Sequence, residues 1–112
     1  MNDSTRACLY DVQQAIAEIE SFFEGQPMLF AAYRADVRTR RATERNLEII
    51  GEAVGRIMKA DPEFQLSNAR QIIATRHRII HGYDTVSDEM VWSIVVRHLP
   101  LLKQEVAGWL SE

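Results

Sequence analysis

The sequence predicts an all-α protein, an up-and-down four-helix bundle with room for one extra short helix. Three observations predict it. Apolar residues recur at three- and four-residue spacing through most of the chain, no segment alternates with period two for long, and there are no Gly-rich loops or repeats. At 112 residues, 46% hydrophobic and 26% charged, the composition fits one domain, 1–112, with a core of its own.

The first helix is expected to begin at Ser4 or Thr5 as N-cap, with Leu9, Val12, Ile16, Ile19, Phe22 and Phe23 on one stripe. Gly25 and Pro27 stop it. Met28 to Tyr33 reads equally as a short helix or a packed connector. A second, longer helix runs from about Asp36 to Lys59, its stripe Leu47, Ile50, Val54, Ile57 and Met58. Gly51, Ala53 and Gly55 lie in its middle, where Gly costs up to about 1 kcal/mol relative to Ala, so a close helix crossing is expected there. Glu48 and Glu52, one turn apart, read better as partners of Arg45 and Arg56 than as a catalytic acid pair. Asp61 and Pro62 end this helix. Ser67 or Asn68 is placed to cap a third, running through Ile72, Ile73, Ile79 and Ile80, which are assigned to its core stripe. The last helix starts after Ser87 with Asp88 and Glu89 in its first turn, and Pro100 is expected to kink it.

No apolar run approaches the roughly 20 residues that span a bilayer. With no secretory signature at residues 1–5, a cytoplasmic protein is expected. The single Cys8 reads as a small helix residue, and three scattered His with no second Cys suggest no zinc site. Net charge is −3, but it is unevenly spread. Residues 1–33 hold one base against five acids, residues 34–83 ten bases against six, and residues 84–112 two against five. The basic middle suits either a phosphate-facing surface or, more commonly, a solvated helix face of interleaved Arg and Glu.

The ionisable groups crowd into Arg76-His77-Arg78-Ile79-Ile80-His81-Gly82-Tyr83. On a wheel of 100° per residue, Ile72, Ile73, Ile79 and Ile80 flank Arg76, so its charge must be paired, snorkel, or face another surface. His81 falls about 140° away from Arg76 on that wheel. Joining the two in one site requires unwinding at Gly82, expected as a left-handed cap, or a second protomer. Given such a site, an imidazole, which titrates near neutrality, moves protons at a ribose 2′-hydroxyl and a leaving 5′-oxygen. A guanidinium holds the non-bridging phosphate oxygens. That chemistry cleaves RNA with no metal or other cofactor. His77, Arg78, Arg41 and Arg45 are candidate supports for the RNA backbone, and Tyr83 is a candidate to stack on a base or present a phenol.

Arg76, four residues, His81, one residue and Tyr83 form an R-x-x-x-x-H-x-Y pattern that resembles the motif of HepT-like toxins in the HEPN superfamily. Residues 42–53, Ala-Thr-Glu-Arg-Asn-Leu-Glu-Ile-Ile-Gly-Glu-Ala, resemble the same family's second-helix signature. Leu9-Tyr10-Asp11, Val91-Trp92 and Leu99-Pro100 extend the likeness to most of the chain. The resemblance implies a HEPN-like bundle that dimerises, with Arg76 and His81 of both protomers lining one cleft, and a metal-independent ribonuclease toxin. It implies a minimal nucleotidyltransferase antitoxin as partner, silencing the toxin by adenylylating Tyr83. His77 departs from the family's usual Asn or Asp after the motif Arg. The alternative reading is a non-catalytic helical dimer that binds nucleotide or the transferase.

Overall fold

The computed structural model describes residues 1–82 and 86–112. Helix α1, Asp3–Ser21, buries Leu9, Val12, Ile16 and Ile19 on one face. Its cap lies two or three residues earlier than expected: Asn2 Oδ1 accepts from the Thr5 N–H at 2.8 Å, while Thr5 itself turns inward and is buried. Asn caps as well as Ser or Thr, and here it leaves the inward position to the threonine. After α1, Gly25 adopts φ +71°, the left-handed turn that reverses the chain.

The ambiguous segment resolves into a short helix, α2, Phe30–Ala35. It is anchored by Tyr33, whose ring lies 5.1 Å from Trp92, with Phe23 and Phe30 completing the cluster. Helix α3, Val37–Ala60, follows at once. Asp36 caps it, accepting from the Thr39 N–H at 3.1 Å and the Thr39 hydroxyl at 2.8 Å. Leu47, Ile50, Val54 and Ile57 form its buried face, and α3 packs on α1 along one side and on the next helix along the other.

That next helix, α4, spans Ala69–His81. Neither expected side-chain cap forms. Ser67 is recruited elsewhere, its N–H and hydroxyl both donating to the Glu105 carboxylate at 2.8 and 2.6 Å. Asn68 instead turns the chain, with φ +62°. Asn is among the few side chains that tolerate that conformation. Ile72 is buried in α4 as expected, but Ile80 is 37% exposed, so it is not a core residue.

The last helix is built in three pieces. Helix α5, Asp88–Ser93, is capped by Ser87 Oγ, which accepts from the Met90 N–H at 3.1 Å. A π-helical segment, Ile94–His98, then leads into α6, Leu99–Leu110. Pro100 explains the wide segment. It has no N–H to give the Val96 carbonyl and its ring crowds that oxygen, so a regular α turn is disfavoured there. The Leu99 N–H donates five residues back to Ile94, and Pro100 takes the first turn of α6, where proline is tolerated. The expected kink is thus a widened turn. The fold is the all-α bundle read from periodicity, with α2 as the extra helix and no strand among the described residues. Among those residues, no helix is long and apolar enough to cross a membrane.

Candidate functional site at the α3 and α4 crossing

Arg76 reaches the surface through a gap in its neighbour. At Gly51 of α3 a Cβ would run into the Arg76 Cβ, so the two helices cross closely at a position without a side chain. The expected close crossing is therefore at Gly51, whereas Gly55 faces open space. From there the Arg76 guanidinium, 29% exposed, donates from Nη2 to Glu52 Oε2 at 2.8 Å. Glu52 also accepts from Arg56 Nε at 3.0 Å through its other oxygen. The charge on the apolar stripe is paired, and its partner lies on α3. The sequence marked Gly51 for a close crossing and gave Glu52 to Arg56; that Glu52 also holds Arg76 was not read, because the two lie on different helices.

Arg76 and Arg45 border one cleft of about 350 Å3 with Cys8, Asp11, Glu48 and Ile80. Burial pushes the Cys8 thiol up against the opposing Arg56, with Asp11 and Glu52 adding to the rise. Arg45 pairs with Glu48 at 3.2 Å, as its spacing suggested. Arg41 is bound to Glu44 at 3.1 Å and borders a different cleft, with Arg34, Arg40, Ile79 and Asp88. The Arg41 and Arg45 side chains are both 70% exposed, so their pairs give way readily to another anion.

His81 lies on the far side of α4. The helix stays regular through it, because the Gly82 N–H donates to the Arg78 carbonyl at 2.9 Å. Gly82 has φ −143°, so the left-handed cap expected there is not formed and the chain does not unwind at His81. His77, one turn before, sets its ring 5.0 Å from that of His81, the planes at 80°. Arg78 leans the other way, donating to Met90 Sδ at 3.4 Å and tying α4 to α5. Within one protomer, then, Arg76 and Arg45 share a cleft, His77 and His81 share an exposed face, and the two groups stand apart. Tyr83, the expected modification site, lies outside the described residues. No group of three or more His, Cys, Asp or Glu able to hold a metal occurs among the described residues.

A small helical bundle with arginines gathered at a helix crossing and histidines near the end of the same helix is an architecture suited to phosphodiester chemistry. A family model described as "Ribonuclease HepT-like" matches residues 12–107, which include Arg76 and His81. The chain belongs to the HepT-like ribonuclease family, within the HEPN superfamily. It is 33% identical to a probable ribonuclease HepT of Thermococcus cleftensis over 92% of this chain and 93% of that protein. It is 32% identical to a candidate RNase of Methanocaldococcus jannaschii, over 85% of this chain and 78% of that one. A candidate RNase of Caldanaerobacter subterraneus is also 32% identical, over 74% and 75%. No solved structure matches the chain closely enough to count as similar.

Proposed function

We propose that the protein is a metal-independent endoribonuclease acting in the cytoplasm as the toxin of a two-component system. The family match across residues 12–107 carries this reading. In the proposed step, His81 takes the proton of a ribose 2′-hydroxyl and the freed oxygen attacks the adjacent phosphorus. The bond from phosphorus to the 5′-oxygen breaks, that oxygen receives a proton from a second imidazole, and a 2′,3′-cyclic phosphate remains. Arg76 binds the non-bridging oxygens, keeping one edge on Glu52 while the other meets the phosphate.

Because Arg76 and His81 diverge along one unbroken helix, the reading calls for a homodimer in which α4 of one copy completes the site of the other. The exposed Ile80 beside Arg76 supports this placement. His77, Arg78, Arg41 and Arg45 then steer the RNA backbone. The partner is a minimal nucleotidyltransferase antitoxin that adds AMP to Tyr83.

Cleavage of total RNA in EDTA tests the reading. Arg76→Ala and His81→Ala are each expected to lose activity by at least about a hundredfold. Equal activity in wild type and both variants would sink it. Intact RNA together with tight binding of ATP or the transferase would favour a non-catalytic interaction module, a reading supported by the separation of Arg76 from His81 within one protomer. Incubation with ATP and the transferase should add AMP masses that vanish in Tyr83→Phe; a mass shift that persists places regulation elsewhere.

A further inference from the structure

We propose that His77 and His81 together form a binding site for a borderline divalent transition-metal ion, such as Ni2+ or Zn2+, and that occupying it switches off RNA cleavage. The second half of this proposal rests on the reading of His81 as the acid–base group. The first half rests on geometry alone. Residues four apart on a helix stand on one face, one turn above the other, the arrangement with which two imidazoles chelate one ion.

The ring spacing fits. For metal–nitrogen bonds of about 2.0–2.1 Å, each ring centroid lies about 3.2 Å from the ion, and two rings at right or tetrahedral angles are held roughly 4.5–5.2 Å apart. The observed separation is 5.0 Å. Both residues are exposed, so the rings turn towards a common point without disturbing the core. Among the described residues neither imidazole has a hydrogen bond or ion pair that an incoming ion would have to break.

The local field is mixed but permissive. Arg78, next to His77 in the chain, is drawn off to Met90. His81 sits in the last turn of α4, with His77 one turn before it, and the aligned carbonyls at that end favour positive charge. Imidazole selects borderline ions over Mg2+ or Ca2+, and water completes the coordination. An ion held there takes the lone pair that His81 needs to accept a proton, so the site blocks the reaction and supplies no chemistry to it. His77 thus acts as the second jaw of a clamp on His81.

Isothermal titration of untagged protein with NiCl2 tests the site directly. Saturable binding of one ion per chain is expected, weakened by more than about tenfold in His77→Gln and in His81→Gln and unchanged in His98→Gln. Absence of saturable binding, or equal binding in all variants, overturns the site. In the RNA assay, NiCl2 should suppress wild-type cleavage reversibly with EDTA, and should leave the rate of His77→Gln, whatever its own value, unaltered. Saturable binding with undiminished cleavage overturns the regulatory half. The titration involves no RNA, so protein that cleaves none refutes the ribonuclease reading while leaving the metal site to be decided.

Discussion

Arg76 owes its position to two adjacent residues of another helix. Gly51 lets its Cβ come in, and Glu52 fixes its charged end. Gly51→Ala is therefore expected to destabilise the fold by a net 1–2 kcal/mol or about that, because the Arg76 Cβ can retreat only if α3 and α4 separate. Urea unfolding of the variant, followed by circular dichroism, measures it; unchanged stability would mean that the crossing is loose. That Arg76 must be paired, snorkel or face another surface was legible from its place among four isoleucines, and the structure shows it paired. Its partner was not legible, because a wheel describes one helix and Glu52 sits on the next. Glu52 had been matched only to Arg56, its neighbour one turn away, and it holds both arginines. The four-residue spacing of His77 and His81 is present in the sequence, and the structure adds that their rings lie 5.0 Å apart.

Helix ends divide in the same way. The starts of α3 and of the last helix were legible at Asp36 and Ser87, which the structure shows to be their caps, because each precedes a long periodic run. Ser67 lost that role to Glu105, on a helix 38 residues further along, and no local pattern records such a competitor. The cap at α3 also titrates. The Thr39 hydroxyl, and after it the Thr39 amide, hold the Asp36 carboxyl below its usual value. A depressed carboxylate stabilises the fold above its unfolded pKa of about 3.9, and the contribution is lost as pH falls through the lowered folded value. Thermal unfolding of wild type and Asp36→Asn should accordingly differ near pH 7, in favour of wild type, and converge below about pH 3. A gap that persists in acid would show that the cap acts without its charge. The π-helical segment was only half legible: Pro100 announced a disturbance, but whether a helix answers with a bend or a wider turn depends on what its two halves pack against.

For the molecule as a whole, periodicity captured the all-α architecture because, among the described residues, every helical span except α2 carries a long apolar stripe. It misplaced Ile80, which continues the α4 stripe in sequence but emerges beside the Arg76 cleft. A residue there belongs to a surface between copies in the dimer reading. Ile80→Asp is then expected to leave the helical signal and cooperative melting intact while shifting sedimentation from dimer to monomer. Ile72→Asp, at a buried position on the same helix, should abolish folding. If Ile80→Asp sediments exactly as wild type does, dimerisation through this face is excluded.

The two tryptophans give the molecule a pair of internal lamps. Trp92 lies with Phe23, Phe30 and Tyr33 beyond the C-terminal end of α1. Trp109 stacks on Phe64 at 4.5 Å, gives its indole N–H to the Gln65 carbonyl at 3.0 Å, and shares a hollow with Asn2 and Thr5 at the start of α1. The 19 residues of α1 span about 28 Å, at a rise of about 1.5 Å per residue, and the two tryptophans lie towards its opposite ends. Exciting one or the other in single-tryptophan variants therefore illuminates opposite poles of the bundle. Whether both dim at the same urea concentration is an optical readout of how far one end of this small protein feels the other let go.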